Sequence, residues 1–258
     1  MKTIKTIAKF LGINKKTILL AALMPLGMML LGFAATFVCT EFMADANAVG
    51  TLFPMFVTGS IFVTIASVAS YIVRYTAPAD VKAECSDVLA KRVHVAFGKL
   101  IALFIIGLIS MVSTVVAAEV FALACPYMTA IKVFSTLDFV LGECAANAML
   151  LAVGLSFLVS TLTKTSKQAE NFSPVVGFIM AIISAVPFVP AISAWVATSG
   201  IVPYLIPVIN TSIILGNLVN STMDLTNVLV CGAVNSVIVI LLVVCAMIKY
   251  TKDTSIEY

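Results

Sequence analysis

The chain alternates between long apolar runs and short clusters of charged residues. A helix needs about 20 apolar residues to cross a bilayer core about 30 Å thick. Six runs reach that length: residues 17–40, 46–73, 100–125, 137–163, 173–197 and 225–248. In the fifth, Ser173 is the predicted cap and Pro174 the first helical residue, a position that proline favours. We therefore predict an all-α integral membrane protein, a single domain with six transmembrane helices.

Residues 198–224 are apolar enough to suggest a seventh span. Four helix-breaking residues divide this stretch into short pieces: Gly200, Pro203, Pro207 and Gly216. A seventh span would also move the two lysines at the C-terminal end away from the other basic residues. We predict a re-entrant external hairpin of two short helices between spans five and six, with its irregular backbone covered by protein or facing water.

The first sixteen residues predict a different element. Apolar side chains recur at helical spacing from Ile4 to Leu11, and Lys2, Lys5 and Lys9 occupy the opposite face. This pattern is typical of an amphipathic interfacial helix lying on the membrane surface. The alternative is the basic segment of a signal peptide, but the following apolar run is long and has no clear small-residue cleavage site.

The charges predict an orientation. Of the 15 Lys and Arg residues, 14 fall on one side of the six predicted spans, and only Lys132 falls on the other. Basic residues concentrate in cytoplasmic loops, so both termini are expected in the cytoplasm and the chain in the cell membrane. Glu119, Asp138 and Glu143 lie toward the outer ends of spans three and four. They are either solvated caps or an outer vestibule for a departing cation.

The composition agrees with a membrane protein and excludes several kinds of chemistry. Hydrophobic residues make up 62% of the chain and charged residues 10%, and no long polar segment could form a nucleic-acid surface. The chain has no Gly-x-x-x-x-Gly-Lys-Ser/Thr phosphate loop, no His-Glu-x-x-His metal motif and no Gly-x-Ser-x-Gly elbow. We predict no catalytic site, no metal site and no cofactor bound by this chain.

The longest predicted cytoplasmic loop, from Arg74 to Lys99, mixes both signs of charge. Its candidate contact residues are Asp80, Lys82, Glu84, Asp87, Lys91 and Arg92. A charged loop of this kind is either a docking surface for a soluble partner or a solvated connector.

Four stretches give the chain a resemblance to the permease subunits of type-2 ABC exporters, especially their sodium-efflux and bacteriocin-export or immunity groups. They are Phe97-Gly98-Lys99-Leu100, Ser160-Thr-Leu-Thr-Lys164-Thr-Ser-Lys-Gln-Ala-Glu170, Ile206-Pro-Val-Ile-Asn210-Thr-Ser-Ile-Ile-Leu215, and the last span with its short charged tail. The Gly-Thr and Pro that the family often carries in the loop between spans two and three are missing here. The large external domain of the sodium-efflux members is missing too.

The resemblance implies half of a transporter. Two permease chains, identical or different, would pair in the bilayer and dock two separate ABC ATPase subunits that bind ATP and Mg. Residues 80–92 would form the coupling helix, and ATP binding would shift the permease between two states. A stand-alone channel or secondary carrier of small cations is the alternative, and an intramembrane enzyme is a third reading.

Overall fold

The computed structural model describes residues 11–43, 48–74, 92–124, 136–220, 222 and 224–252, with the backbone alone described at 92 and 136–138. The described part of the chain is helical and contains no strand. Its α-helices are α1 (Lys15–Glu41), α2 (Ala48–Val73), α3 (Arg92–Ala124), α4 (Thr136–Leu162), α5 (Ser166–Ala185), α6 (Pro190–Thr198), α7 (Ile209–Val219) and α8 (Leu225–Lys252). Two short 3₁₀ helices, Val186–Phe188 and Val202–Leu205, flank α6.

Six of these helices, α1 to α5 and α8, are long and apolar enough to cross a membrane, with α5 counted together with Val186–Phe188. The chain therefore has the architecture of a multi-pass membrane protein. α2 is the central helix, because most of its residues are buried and it contacts α1, α3, α4, α5 and α7. By contrast, α1, α5 and α8 expose large apolar side chains such as Leu30, Ile182 and Leu229, as lipid-facing helices do.

The helices α2 and α5 approach closely because small residues line their contact. A Cβ atom added at Gly177 would lie 2.8 Å from the Cβ of Ala66 and 2.9 Å from the carbonyl oxygen of Phe62. Four residues further along α5, a Cβ at Gly59 of α2 would lie 3.1 Å from the Cβ of Ala181. Small residues at such contacts let helix backbones pack tightly in a membrane, where lipid supplies no hydrophobic driving force between helices.

The two ends of the bundle differ in charge. Every Lys and Arg side chain that the structure describes lies at one end, the basic end: Lys15, Lys16, Arg74, Lys99, Lys164, Lys167, Lys249 and Lys252. The opposite end, which we call the hairpin end, carries the segment between α5 and α8. There α6 is exposed, whereas α7 is mostly buried against the long helices. The segment is thus broken into short helices rather than one continuous span.

The predicted fifth span, residues 173–197, has the wrong limits. α5 begins at Ser166, and the side chain of Thr165 caps it by accepting from the backbone N–H of Gln168 at 3.2 Å. Pro174 lies inside the helix and Ser173 is not its cap. The helix then ends at Ala185, because the 3₁₀ turn and the prolines that follow cannot continue an α-helical hydrogen-bond ladder.

The predicted third span, residues 100–125, is also too short. α3 already begins at Arg92, so Phe97, Gly98 and Lys99 are helical and not part of a loop. The last helix likewise continues past residue 248 to Lys252. The other spans differ from their predicted limits by two residues or fewer. The physical reason is that a helix continues beyond the hydrocarbon core, where charged side chains reach water or backbone carbonyls.

Candidate functional site at the basic end

Arg74 follows α2 directly and holds the end of α4. Its Nε donates to the carbonyl of Ser160 at 2.9 Å, and one of its terminal nitrogens donates to the carbonyl of Thr161 at 3.3 Å. The last carbonyls of a helix lack intrahelical donors and carry partial negative charge. A cation at this position supplies the missing donors and also offsets the partial charge. Only 6% of Arg74 is exposed, which places these bonds away from bulk water.

Lys99 of α3 binds the end of α2, as Arg74 binds the end of α4. Its ammonium donates to the carbonyl of Val73, the last residue of α2, at 2.7 Å. The same nitrogen lies 5.9 Å from the ring centre of Tyr250 on α8, within range of a cation–π interaction. The Tyr250 ring in turn stacks on Phe157 of α4, with ring centres 6.2 Å apart. Lys99 is 1% exposed, an unusual burial for a lysine.

The remaining long helices join the same cluster. Lys16 of α1 lies 5.0 Å from the ring centre of Tyr71 on α2, and the hydroxyl of Ser166, at the start of α5, donates to the carbonyl of Arg74 at 3.4 Å. We call this cluster the basic-end network. Its members are Lys16, Tyr71, Val73, Arg74, Lys99, Phe157, Ser160, Thr161, Ser166 and Tyr250. It connects all six long helices at one end of the bundle.

The position of the basic-end network matters because of what it flanks. Residues 75–91 connect Arg74 to the first turn of α3, and Lys99 lies seven residues after α3 begins. Both flanks of this segment are therefore held to α2 and α4 by buried cations.

A second polar cluster lies at the junction of α7 and α8. Asn210 and Asn235 exchange side-chain hydrogen bonds at 3.0 and 3.3 Å, and both are almost completely buried. Asn235 also donates to the hydroxyl of Thr211 at 3.2 Å and to the sulfur of Cys231 at 3.4 Å. Asn235 is the eleventh residue of α8, so the contact lies about 15 Å along that helix from its start. It holds the beginning of α7 inside the bundle.

The residue before α7 has a strained backbone. Val208 has φ +68° and ψ −53°, a region that β-branched residues almost never occupy. It follows Pro207, and it lets the chain turn from Val202–Leu205 into α7. The surrounding contacts stabilise this conformation: the carbonyl of Val208 accepts from the backbone N–H and the hydroxyl of Ser212, both at 3.1 Å.

The predicted outer acidic residues are distributed over two helices. Glu119 and Glu143 are both half-buried, Glu119 about 8 Å before the end of α3 and Glu143 about 10 Å after the start of α4. The carboxylate of Glu143 accepts from the side chain of Asn147 at 3.2 Å, and a Cβ at Gly232 of α8 would lie 2.9 Å from it. Glu143 is thus packed between α4 and α8. The side chain of Asp138 lies outside the described residues.

The other predicted site residues fall outside the description. The side chains of Lys2, Lys5 and Lys9, and those of Asp80, Lys82, Glu84, Asp87, Lys91 and Arg92, are not described, although the backbone of Arg92 begins α3. Among the described residues, no group of three or more His, Cys, Asp or Glu side chains could hold a metal ion.

Arg74 and Lys99 were predicted to lie in a cytoplasmic loop, and Asn235 was given no role. The burial of Lys99 could have been predicted from its spacing, because it falls on the same helical face as Val95, Leu103 and Ile106, all of which are buried. A lysine on an apolar face needs a specific partner. An internal hydrogen-bond partner for Asn235 could also have been predicted, because a lone amide within an apolar span must bond to another group inside the protein.

Comparisons with protein-family models, with curated proteins and with solved structures found no match to this chain.

Proposed function

We propose that this chain is the membrane-spanning permease half of an ATP-driven type-2 ABC exporter, working with a separate ATPase subunit and a second permease chain. The observation that carries the proposal is the basic-end network. Two of its members, Arg74 and Lys99, flank residues 80–92 in the sequence, the segment that the resemblance makes the coupling helix. Its members lie on all six long helices, so a force that an ATPase passed to Arg74 and Lys99 would reach the whole bundle.

The proposed orientation of the chain in the membrane follows from the distribution of its basic residues. The basic end would face the cytoplasm of the cell, with both termini on that side, and the hairpin end would face outward. The apolar helix α6, which exposes Trp195, would lie at the outer membrane surface, where tryptophan is enriched. The chain has no phosphate-loop motif, so the ATP and Mg would be bound by the partner.

Affinity capture of the full-length chain from its native membranes tests the proposal. We expect the chain to co-purify with a protein carrying a phosphate-loop motif, and the captured complex to hydrolyse ATP. Glu84→Arg and Asp87→Arg should each reduce the amount of ATPase captured and the rate of hydrolysis, because like charges placed at an interface repel. Glu257→Arg makes the same charge change in the tail and should leave both quantities unchanged.

A channel or secondary carrier of small cations is the second candidate, favoured by the half-buried Glu143 beside Asn147 inside a span. The purified chain alone, reconstituted in liposomes, distinguishes the two. Cation flux that needs no ATP and is lost in Glu143→Gln would support the carrier. Capture without any ATPase, together with such flux, would refute the exporter.

A further inference from the structure

A cavity of about 540 Å³ opens at the hairpin end, a size typical of small-molecule sites. It lies between α6, the 3₁₀ helix Val202–Leu205, α7 and the start of α8. Hydrogen-bonding side chains from all four elements face it: Ser193, Tyr204, Asn217, Asn220 and Asn227. Its lining therefore combines groups from several short helical elements and the start of α8, all within residues 187–227.

The amides of this cavity have unused hydrogen-bonding capacity. Within the part of the chain that the structure describes, the side chains of Asn220 and Asn227 make no hydrogen bond. Asn217 donates to the phenolic oxygen of Tyr204 at 3.2 Å, which leaves the Tyr204 hydroxyl hydrogen to be donated elsewhere. Each amide offers two donors and a carbonyl acceptor, and a phenol offers one of each. The cavity thus presents donors and acceptors in similar number.

Two glycines shape the cavity by allowing close approach. A Cβ at Gly216 would lie 2.8 Å from the ring of Phe188, so the glycine lets this aromatic ring form one wall. A Cβ at Gly50 of α2 would lie 3.3 Å from both the nitrogen and the oxygen of the Asn220 amide. Any larger residue at these positions would move the ring or the amide. The wall and the amide are therefore set by the backbones of α7 and α2.

The lining chemistry selects a class of ligand. None of the lining residues in the described part of the chain is charged, so an ionic ligand would find no opposite charge there. A purely apolar ligand would cover the amides of Asn220 and Asn227 without giving them hydrogen-bond partners, which is costly. A neutral ring with several hydroxyl groups on its edge and C–H groups on its face suits this lining. Its hydroxyls can hydrogen-bond to the amides, and its C–H groups can pack against the ring of Phe188.

We propose that this cavity is a binding site for a neutral sugar ring. Vicinal hydroxyls both donate and accept, as asparagine amides do, and the apolar face of the ring would lie against Phe188. The sugar could be a free saccharide or the head group of a glycolipid in the adjacent leaflet. The proposal is independent of the exporter function, because it concerns the opposite end of the bundle and needs no ATPase.

The single tryptophan of the chain supplies the measurement. Trp195 lies on α6 between the lining residues Ser193 and Val196, so a ligand in the cavity should change its fluorescence. We would titrate maltose onto the full-length chain in nanodiscs of phosphatidylcholine, and in parallel measure nanodiscs that contain monoglucosyl diacylglycerol. We expect a saturable change in one of the two arms, which identifies the source of the sugar.

Variants test whether the change comes from the cavity. Asn220→Leu and Asn227→Leu keep a similar side-chain volume and should each weaken sugar affinity about tenfold, the effect of losing one or two hydrogen bonds. Asn171→Leu makes the same replacement at an exposed position of α5 at the basic end and should bind as the unmodified chain does. Thermal unfolding of each variant shows that the protein is still folded.

Three results would overturn the proposal. The first is no saturable change with either maltose or the glucolipid. The second is binding that Asn171→Leu weakens as much as the cavity variants do. The third is saturation by the neutral amide N-acetylalaninamide with none by the sugars, which would make the cavity a peptide-backbone site. All these measurements use the permease chain alone, so their failure leaves the exporter proposal standing.

Discussion

Replacing Lys99 with methionine tests the basic-end network directly. Methionine keeps an unbranched side chain that is one atom shorter, with sulfur in place of Cδ, and removes the ammonium, so the hydrogen bond to the carbonyl of Val73 is lost. A hydrogen bond from a charged donor contributes about 1.5–3 kcal/mol. The contact with the Tyr250 ring adds about 0.5–2 kcal/mol, with the higher value applying when the cation is desolvated.

An opposing effect reduces this loss. A buried ammonium has given up its hydration, and an apolar replacement recovers part of that cost. The carbonyl of Val73, however, stays buried at the end of α2 and loses its donor, so we expect a net loss of stability of about 1–3 kcal/mol. For a chain of this size each 1 kcal/mol lowers the midpoint of thermal unfolding by about 2–4 °C.

Unfolding can be followed with a thiol-reactive fluorescent dye, because Cys144 and Cys231 are buried and free. The matched control is Lys164→Met, which removes an exposed lysine at the same end and should change stability by less than about 0.5 kcal/mol. A midpoint for Lys99→Met equal to or above that of Lys164→Met would show that the buried ammonium does not stabilise the network.

Two further changes test other parts of the bundle. Gly177→Leu should prevent close packing of α2 and α5 and sharply lower the yield of folded protein in detergent extracts. The control Gly27→Leu should be tolerated, because a Cβ at Gly27 meets nothing within 4 Å. Equal yields of the two variants would contradict the close packing of α2 and α5. Asn235→Leu removes the two hydrogen bonds between Asn235 and Asn210 and the one from Asn235 to Thr211, at a cost of about 1–3 kcal/mol, while Asn210 keeps its bonds to the Tyr204 carbonyl and to Thr211. It should make a cysteine introduced by Ser212→Cys, buried in the parent, react faster with maleimide; an unchanged rate would mean that the amide pair does not hold α7.

The number of long helices could be predicted from the sequence, because the length of an apolar run is a local property. The division of residues 198–224 into short pieces could be predicted for the same reason, since proline and glycine act on their own backbone. Gly216, however, lies inside α7, and the break after Ala185 falls inside the predicted fifth span. The limits of α5 could not, because Thr165 and Ser173 are both plausible caps and the choice depends on packing. In the structure the hydroxyl of Ser173 lies 3.1 Å from that of Ser160, where it serves the contact between α4 and α5.

The candidate site was harder to predict, because its partners lie far apart along the chain. Arg74 bonds to the backbone carbonyls of Ser160 and Thr161, which are 86 and 87 positions further along the chain. Every residue has a backbone carbonyl, so the residue type does not reveal which one accepts such a bond. The central place of α2 was hidden as well, since all six spans are similarly apolar. Its hydroxyl and glycine content, as at Gly59, Ser60 and Thr64, is the feature that distinguishes a buried membrane helix from a lipid-facing one.

The helix α8 links the two polar ends of the molecule. Tyr250 belongs to the basic-end network, Asn235 holds the start of α7, and Asn227 faces the cavity. At 1.5 Å per residue, Tyr250 lies about 22 Å from Asn235 and about 35 Å from Asn227 along the axis. A continuous helix transmits a displacement at one end to the other. At the hairpin end Val208 is strained, and α7 is held to α8 by the Asn210–Asn235 pair and by the contacts of Thr211 with Asn235 and Cys231. We expect a displacement of α8 to rearrange this strained junction more readily than the close-packed long helices.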